Sequence, residues 1–220
     1  RFENARKHQP AEVVVSAGAA PRDVEGQVEV EAAGDGLVAF AVEVATTTGH
    51  KFPTGYPSRR AWLHVTVTDG DGSVVFESGA PRADGSIAGN DNDADRTAFE
   101  PHYALVTEPE QVQIYEAIIG DTDGGVTTTL LRGAGYLKDN RLLPVGFDQA
   151  AASPHVLPAG GAAGDADFTG GSDTVRYEAG VGDAAGPFTV RVDLLFQSIG
   201  FRWIDDLLQQ EGPEIARLAG

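Results

Sequence analysis

Cysteine is absent from this 220-residue chain, and so is methionine. Without cysteine the chain has no disulfide, no thiolate metal site, no iron–sulfur cluster and no haem attached through Cys-x-x-Cys-His. Lysine is scarce too, at Lys7, Lys51 and Lys138 only. The formal charge of -17 repels phosphate backbones and anionic lipid, which argues against nucleic acid and membrane surfaces as partners. No apolar run is long enough for membrane insertion. There is no Gly-x-Ser-x-Gly elbow, phosphate loop or His-Glu-x-x-His helix. An enzyme is therefore not expected, and a hydrolase on a β scaffold ranks last among the readings. A chain that opens on Arg1 without methionine is expected to be a processed piece of something longer, with any targeting segment removed.

What is present is mostly alternation. The 41% hydrophobic content suffices for a core. Val28 and Val30 share one face of a half-buried strand, Asp35-Gly36 signals a tight turn, and Val38, Phe40, Val42 and Val44 line the returning strand. Leu63, Val65 and Val67 alternate next, Asp69–Gly72 turns the chain, and residues 73–78 return as a second hairpin. Residues 79–102 are rich in glycine and aspartate without periodicity, so a long loop is expected there. A third hairpin is predicted from Gln111–Ile119 and Val126–Arg132, and a short strand at Thr174–Glu178. Phe188, Val190, Val192, Leu194 and Phe196 form the longest period-two run. Beyond it Ile199, Trp203 and Leu207 recur at helical spacing, and Pro213 suits the first turn of a short final helix. The fold class expected is all-β: an antiparallel, immunoglobulin-like β-sandwich with long loops and a short C-terminal helix. Residues 1–25 read as a leading segment, helical over 1–10, and residues 26–220 as a single domain.

Between two alternating runs lies Thr48–His64, a polar loop punctuated by glycine and proline, where binding residues tend to concentrate. His50 has two readings there: a turn residue bonded to backbone, which the residues alone favour, or a metal ligand suited to haem iron. Arg59 and Arg60 form an arginine pair at the loop's exit, free to face carboxylates of a partner or of the chain itself. In the run 90–95, Asp91, Asp93 and Asp95 alternate, and an extended loop would align their oxygens for calcium. The EF-hand pattern fails, because Arg96 stands where glycine is needed. A solvated acidic loop is an equal reading.

Several segments, taken together, resemble the non-haem C-terminal β domain of multihaem c-type cytochromes. They are GHKFPTG at 49–55, YPSRRAWLH at 56–64, VFESG at 75–79, DGSIAGND at 84–91, FEPHY at 99–103, QVQIYE at 111–116 and YLKDNRLLP at 136–144, with an echo in Phe201-Arg202-Trp203. The resemblance implies an exported electron-transfer protein, periplasmic or extracellular, with haem c carried by an N-terminal region or a separate cytochrome chain. This chain would be the accessory module that docks on and shields or positions that region. His50 would be its haem ligand or haem contact, with Arg59 and Arg60 facing propionates, and a homo-oligomer is a further partner considered. The alternative is a calcium-stabilised extracellular binding or adhesion module.

Overall fold

A computed structural model describes residues 11–16 and 24–219. The expected helix over residues 1–10, with His8, lies outside the described residues. The strands are β1 (Ala11–Ser16), β2 (Val24–Gly34), β3 (Leu37–Thr46), β4 (Arg60–Thr68), β5 (Val74–Ser78), β6 (Leu105–Val106), β7 (Ile114–Tyr115), β8 (Ala117–Gly120), β9 (Gly135–Asp139), β10 (Ser172–Gly180) and β11 (Phe188–Gln197). The helices are α1 (Asp91–Ala94), α2 (Phe201–Leu208) and α3 (Pro213–Ala219).

One sheet runs β1-β11-β4-β5, with β7 added on β4, and the other runs β2-β3-β10-β6. Their facing sides carry the period-two residues. Val38, Phe40, Val42 and Val44 are at most 1% exposed, and Leu63, Val65, Val67 and Val190 are equally buried. Each such side chain contributes roughly 1.5–3 kcal/mol on burial, so a one-residue slip of β3 or β11 would turn a whole apolar row to water. The β2–β3 turn holds Asp35 at φ 55° and Gly36 at φ 78°, the left-handed pair that a two-residue hairpin demands. The fold is an all-β sandwich closed by short helices.

Two expectations are corrected. Residues 11–16 fell within the expected leading segment, yet they form a strand parallel to β11; this pair and β6–β10 are parallel, while the other described strand pairs are antiparallel as expected. The third hairpin has a different second arm: β8 pairs with β9, while Val126 makes only an isolated bridge to Gly120 and Leu130–Arg132 is a 3-10 turn. The alternation over 111–114 misled because Gln113 is as buried as Val112 and Ile114 on either side of it. The strand expected at Thr174–Glu178 is present, reaches over Ser172–Gly180 and occupies the middle of its sheet.

Candidate functional site

The loop from Thr47 to Arg59 joins β3 of one sheet to β4 of the other, at the rim of the sandwich. It is tied down on both sides. Phe52 exchanges backbone bonds with Leu142 at 2.9 and 2.7 Å, and Val145 donates its backbone N–H to Thr48 O. Lys51 Nζ donates to Asp139 Oδ2 at 2.7 Å, while Arg141 grips both oxygens of the same carboxylate at 2.8 Å. Burial alone would raise the Asp139 carboxyl, but the Arg141 fork and then Lys51 overcome this and hold it below its ordinary value. Burial pulls Lys51 below its own ordinary value against the bond to Asp139. The clamp was not foreseen; its only trace in the sequence is the charged run Lys138–Arg141 between apolar flanks.

On this base His50 is exposed. Its Nδ1 lies 3.3 Å from Lys51 O. A carbonyl only accepts, so the ring proton sits on Nδ1 and the Nε2 lone pair is left outward. Beside the ring is a groove of about 410 Å³, with Phe52, Pro53 and Phe196 as its apolar part and Thr54 and Arg59 as its polar part. Phe52 and Phe196 pack with ring centroids 6.2 Å apart, which ties the groove to the end of β11. Arg59 is half-buried, and its Nη1 donates to Thr54 O at 2.8 Å.

Arg60 does not join Arg59. It is 4% exposed, points away from the groove and makes a two-bond pair with Asp93 at 2.8 and 3.0 Å, with further bonds to Gln197 and to Gly85 O. The expectation that it faces an outside partner is corrected. So is the extended calcium loop. Asp91–Ala94 is a helical turn, capped by Asn90. Asp93 is occupied by Arg60 and by the backbone N–H of Ile87. Asp95 accepts from Thr97, and Asp91 is exposed. Their oxygens do not converge. Arg202 of α2 donates to the Asn92 and Asp93 carbonyls, so the long loop is fastened to the closing helix.

Carboxylates converge elsewhere. His102, Asp165 and Asp173 offer ligand-type atoms within 4.8 Å of one another, the one such trio among the described residues. His102 Nδ1 faces two amides, Gln113 Nε2 at 3.0 Å and Asn140 Nδ2 at 3.2 Å. Neither amide is free to turn over. Gln113 Oε1 accepts from Tyr103 N, and Asn140 Oδ1 accepts from Glu116 N. Nδ1 must therefore be the acceptor, and the proton sits on Nε2, which donates to Asp165 Oδ2 at 3.0 Å. Burial lowers the affinity of His102 for a second proton, against the pull of Asp165. Asp173 is wholly buried. Its Oδ2 accepts from Tyr115 and Gln113, but its Oδ1 has no hydrogen-bond partner. Burial, and after the opposing Tyr115 bond the charge of Asp165, push its carboxyl up to about 7.

No family model and no curated protein sequence matches the chain. A solved structure does. The crystal structure of a penta-heme cytochrome c552 from Thermochromatium tepidum is similar over 86% of this chain, with a TM-score of 0.50 and 16% sequence identity. The likeness is one of fold. The chain spans 36% of that protein's length, so it corresponds to about a third of it.

Proposed function

We propose that this chain is the non-haem β module of an exported multihaem c-type cytochrome, and that it presents His50 to a haem carried by other polypeptide. The observation that carries this reading is the state of the His50 ring: exposed, protonated on Nδ1, and with the Nε2 lone pair directed outward beside an apolar groove. Neutral imidazole in this tautomer is what iron takes as an axial ligand. The bond from the other ring nitrogen to a carbonyl is the usual orienting contact of a ligating histidine. Fold likeness to the penta-heme protein over most of the chain supports the same reading. So does the absence of cysteine, which leaves haem attachment to another segment. Arg59, at the groove, is the guanidinium suited to a propionate. Export to the periplasm or beyond follows from the kind of protein proposed.

The test uses a ferric haem peptide whose sixth iron position holds water. Titrated into the full chain, it is expected to turn low-spin, with a Soret shift at an affinity about tenfold above that of free imidazole. His50→Ala is expected to lose the advantage, and His155→Ala, on another exposed histidine, to keep it. Binding no tighter than free imidazole, or undiminished in His50→Ala, would sink the proposal.

A further inference from the structure

The buried cluster at His102 has an unresolved charge balance. Asp165 comes from the segment before β10 and Asp173 from β10 itself, with side chains 10% and 0% exposed. Asp167 adds a third carboxylate, in contact with Asp165, and burial followed by that contact raises its own carboxyl. Two of the oxygens in this group are buried without a hydrogen-bond partner, Asp173 Oδ1 and Asp167 Oδ1. Tyr177, four residues along the inward face of β10 from Asp173, is 1% exposed and its hydroxyl has no partner either.

The cations nearby are engaged elsewhere. Lys138 donates to Glu116, and Lys51 and Arg141 hold Asp139. Arg176 reaches Asp167 only at 3.7 Å, on its outer oxygen and from a half-exposed position. An unpaired buried carboxylate is expensive, so something positive is needed at this point.

His102 is excluded as a ligand in the arrangement described, because Nε2 carries the proton and Nδ1 is filled by two amide donors. The remaining donors are all oxygens. Asp165 and Asp173 offer oxygens within 4.8 Å of one another, a gap that a single ion at about 2.4 Å from each would bridge, and Asp167 touches Asp165. We propose that Asp165, Asp167 and Asp173 bind one oxygen-preferring divalent cation of the calcium or manganese type, with the Nε2–H of His102, 3.0 Å from Asp165 and 3.8 Å from Asp173, orienting Asp165 from beside the site. The site lies between β10 and the segment leading into it, away from the Asp91–Asp95 turn, and does not depend on the haem reading. His102 is a positioning residue here, holding a ligand as outer-shell donors do.

The full chain, stripped with chelator, is melted across a calcium series and then a manganese series. A saturable rise in melting temperature is expected. Asp167→Asn, on the half-exposed member, keeps the fold and is expected to weaken the apparent affinity about tenfold. Asp173→Asn can still accept from Tyr115 and Gln113, so it is expected to melt higher than wild type without metal and to lose the cation response. Asp91→Asn with Asp95→Asn should respond as wild type does. Bound manganese, counted by paramagnetic resonance, gives a readout independent of melting. No response to any divalent cation, or a response that survives in both Asp167→Asn and Asp173→Asn, overturns the proposal in favour of protons as the neutralising charge.

Discussion

His50 and His102 are two imidazoles in opposite states. His50 stands on a loop in water, its proton on Nδ1 against a carbonyl and its Nε2 lone pair outward. His102 is 9% exposed, with two amides on Nδ1 and its proton on Nε2 against a carboxylate. The first has a nitrogen to offer to an outside group. The second has none left, and so positions the residues around it. The tautomer, set by what the other nitrogen touches, separates a candidate ligand from a structural histidine.

The contrast can be broken from the buried side first. Asp139→Asn would leave Lys51 and Arg141 without their shared carboxylate, and is expected to lose about 3–5 kcal/mol in urea unfolding. Because the folded Asp139 carboxyl lies below its unfolded value near 3.8, its contribution is present above that pH and is lost as pH falls through the folded value. The gap between wild type and Asp139→Asn should therefore close in acid, which a series of unfolding curves on either side of pH 3.8 would check. His102→Ala strands two amide donors and a carboxylate, and should lose about 3 kcal/mol by the same measurement. Arg59→Ala removes one bond to Thr54 O, so a loss of about 1 kcal/mol is expected in thermal melts. His50→Ala should change stability by less than about 0.5 kcal/mol. A large loss there would mean that the ring is part of the fold and not an offered ligand.

The strands were legible where one face meets the core and the other meets water, as in β3, β4 and β11. Reading failed at Gln111–Arg132, because Gln113 is polar and fully buried; its side chain serves His102, Asp173 and Tyr103, a demand with no periodic signal. The site residues divided in the same way. His50 stands out in the sequence because its loop is locally marked by Gly49 and Pro53. Arg59 and Arg60 are adjacent in sequence, yet only Arg59 lines the groove, since alternation at the start of β4 sends the two side chains to different sides. Asp93 reads in the sequence as an open carboxylate, yet Arg60, remote in sequence, holds it.

By itself the amino-acid order determined the inward rows of valine and phenylalanine, the turn at Asp35-Gly36, the closing helix and the exclusion of thiol chemistry. These follow from neighbours a few residues apart and from composition. Tertiary structure alone decided which charges are spent on one another, which carboxylates gather at His102, and which nitrogen of His102 carries the proton. Those outcomes depend on groups brought together from distant parts of the chain, where burial magnifies every unmatched charge and donor.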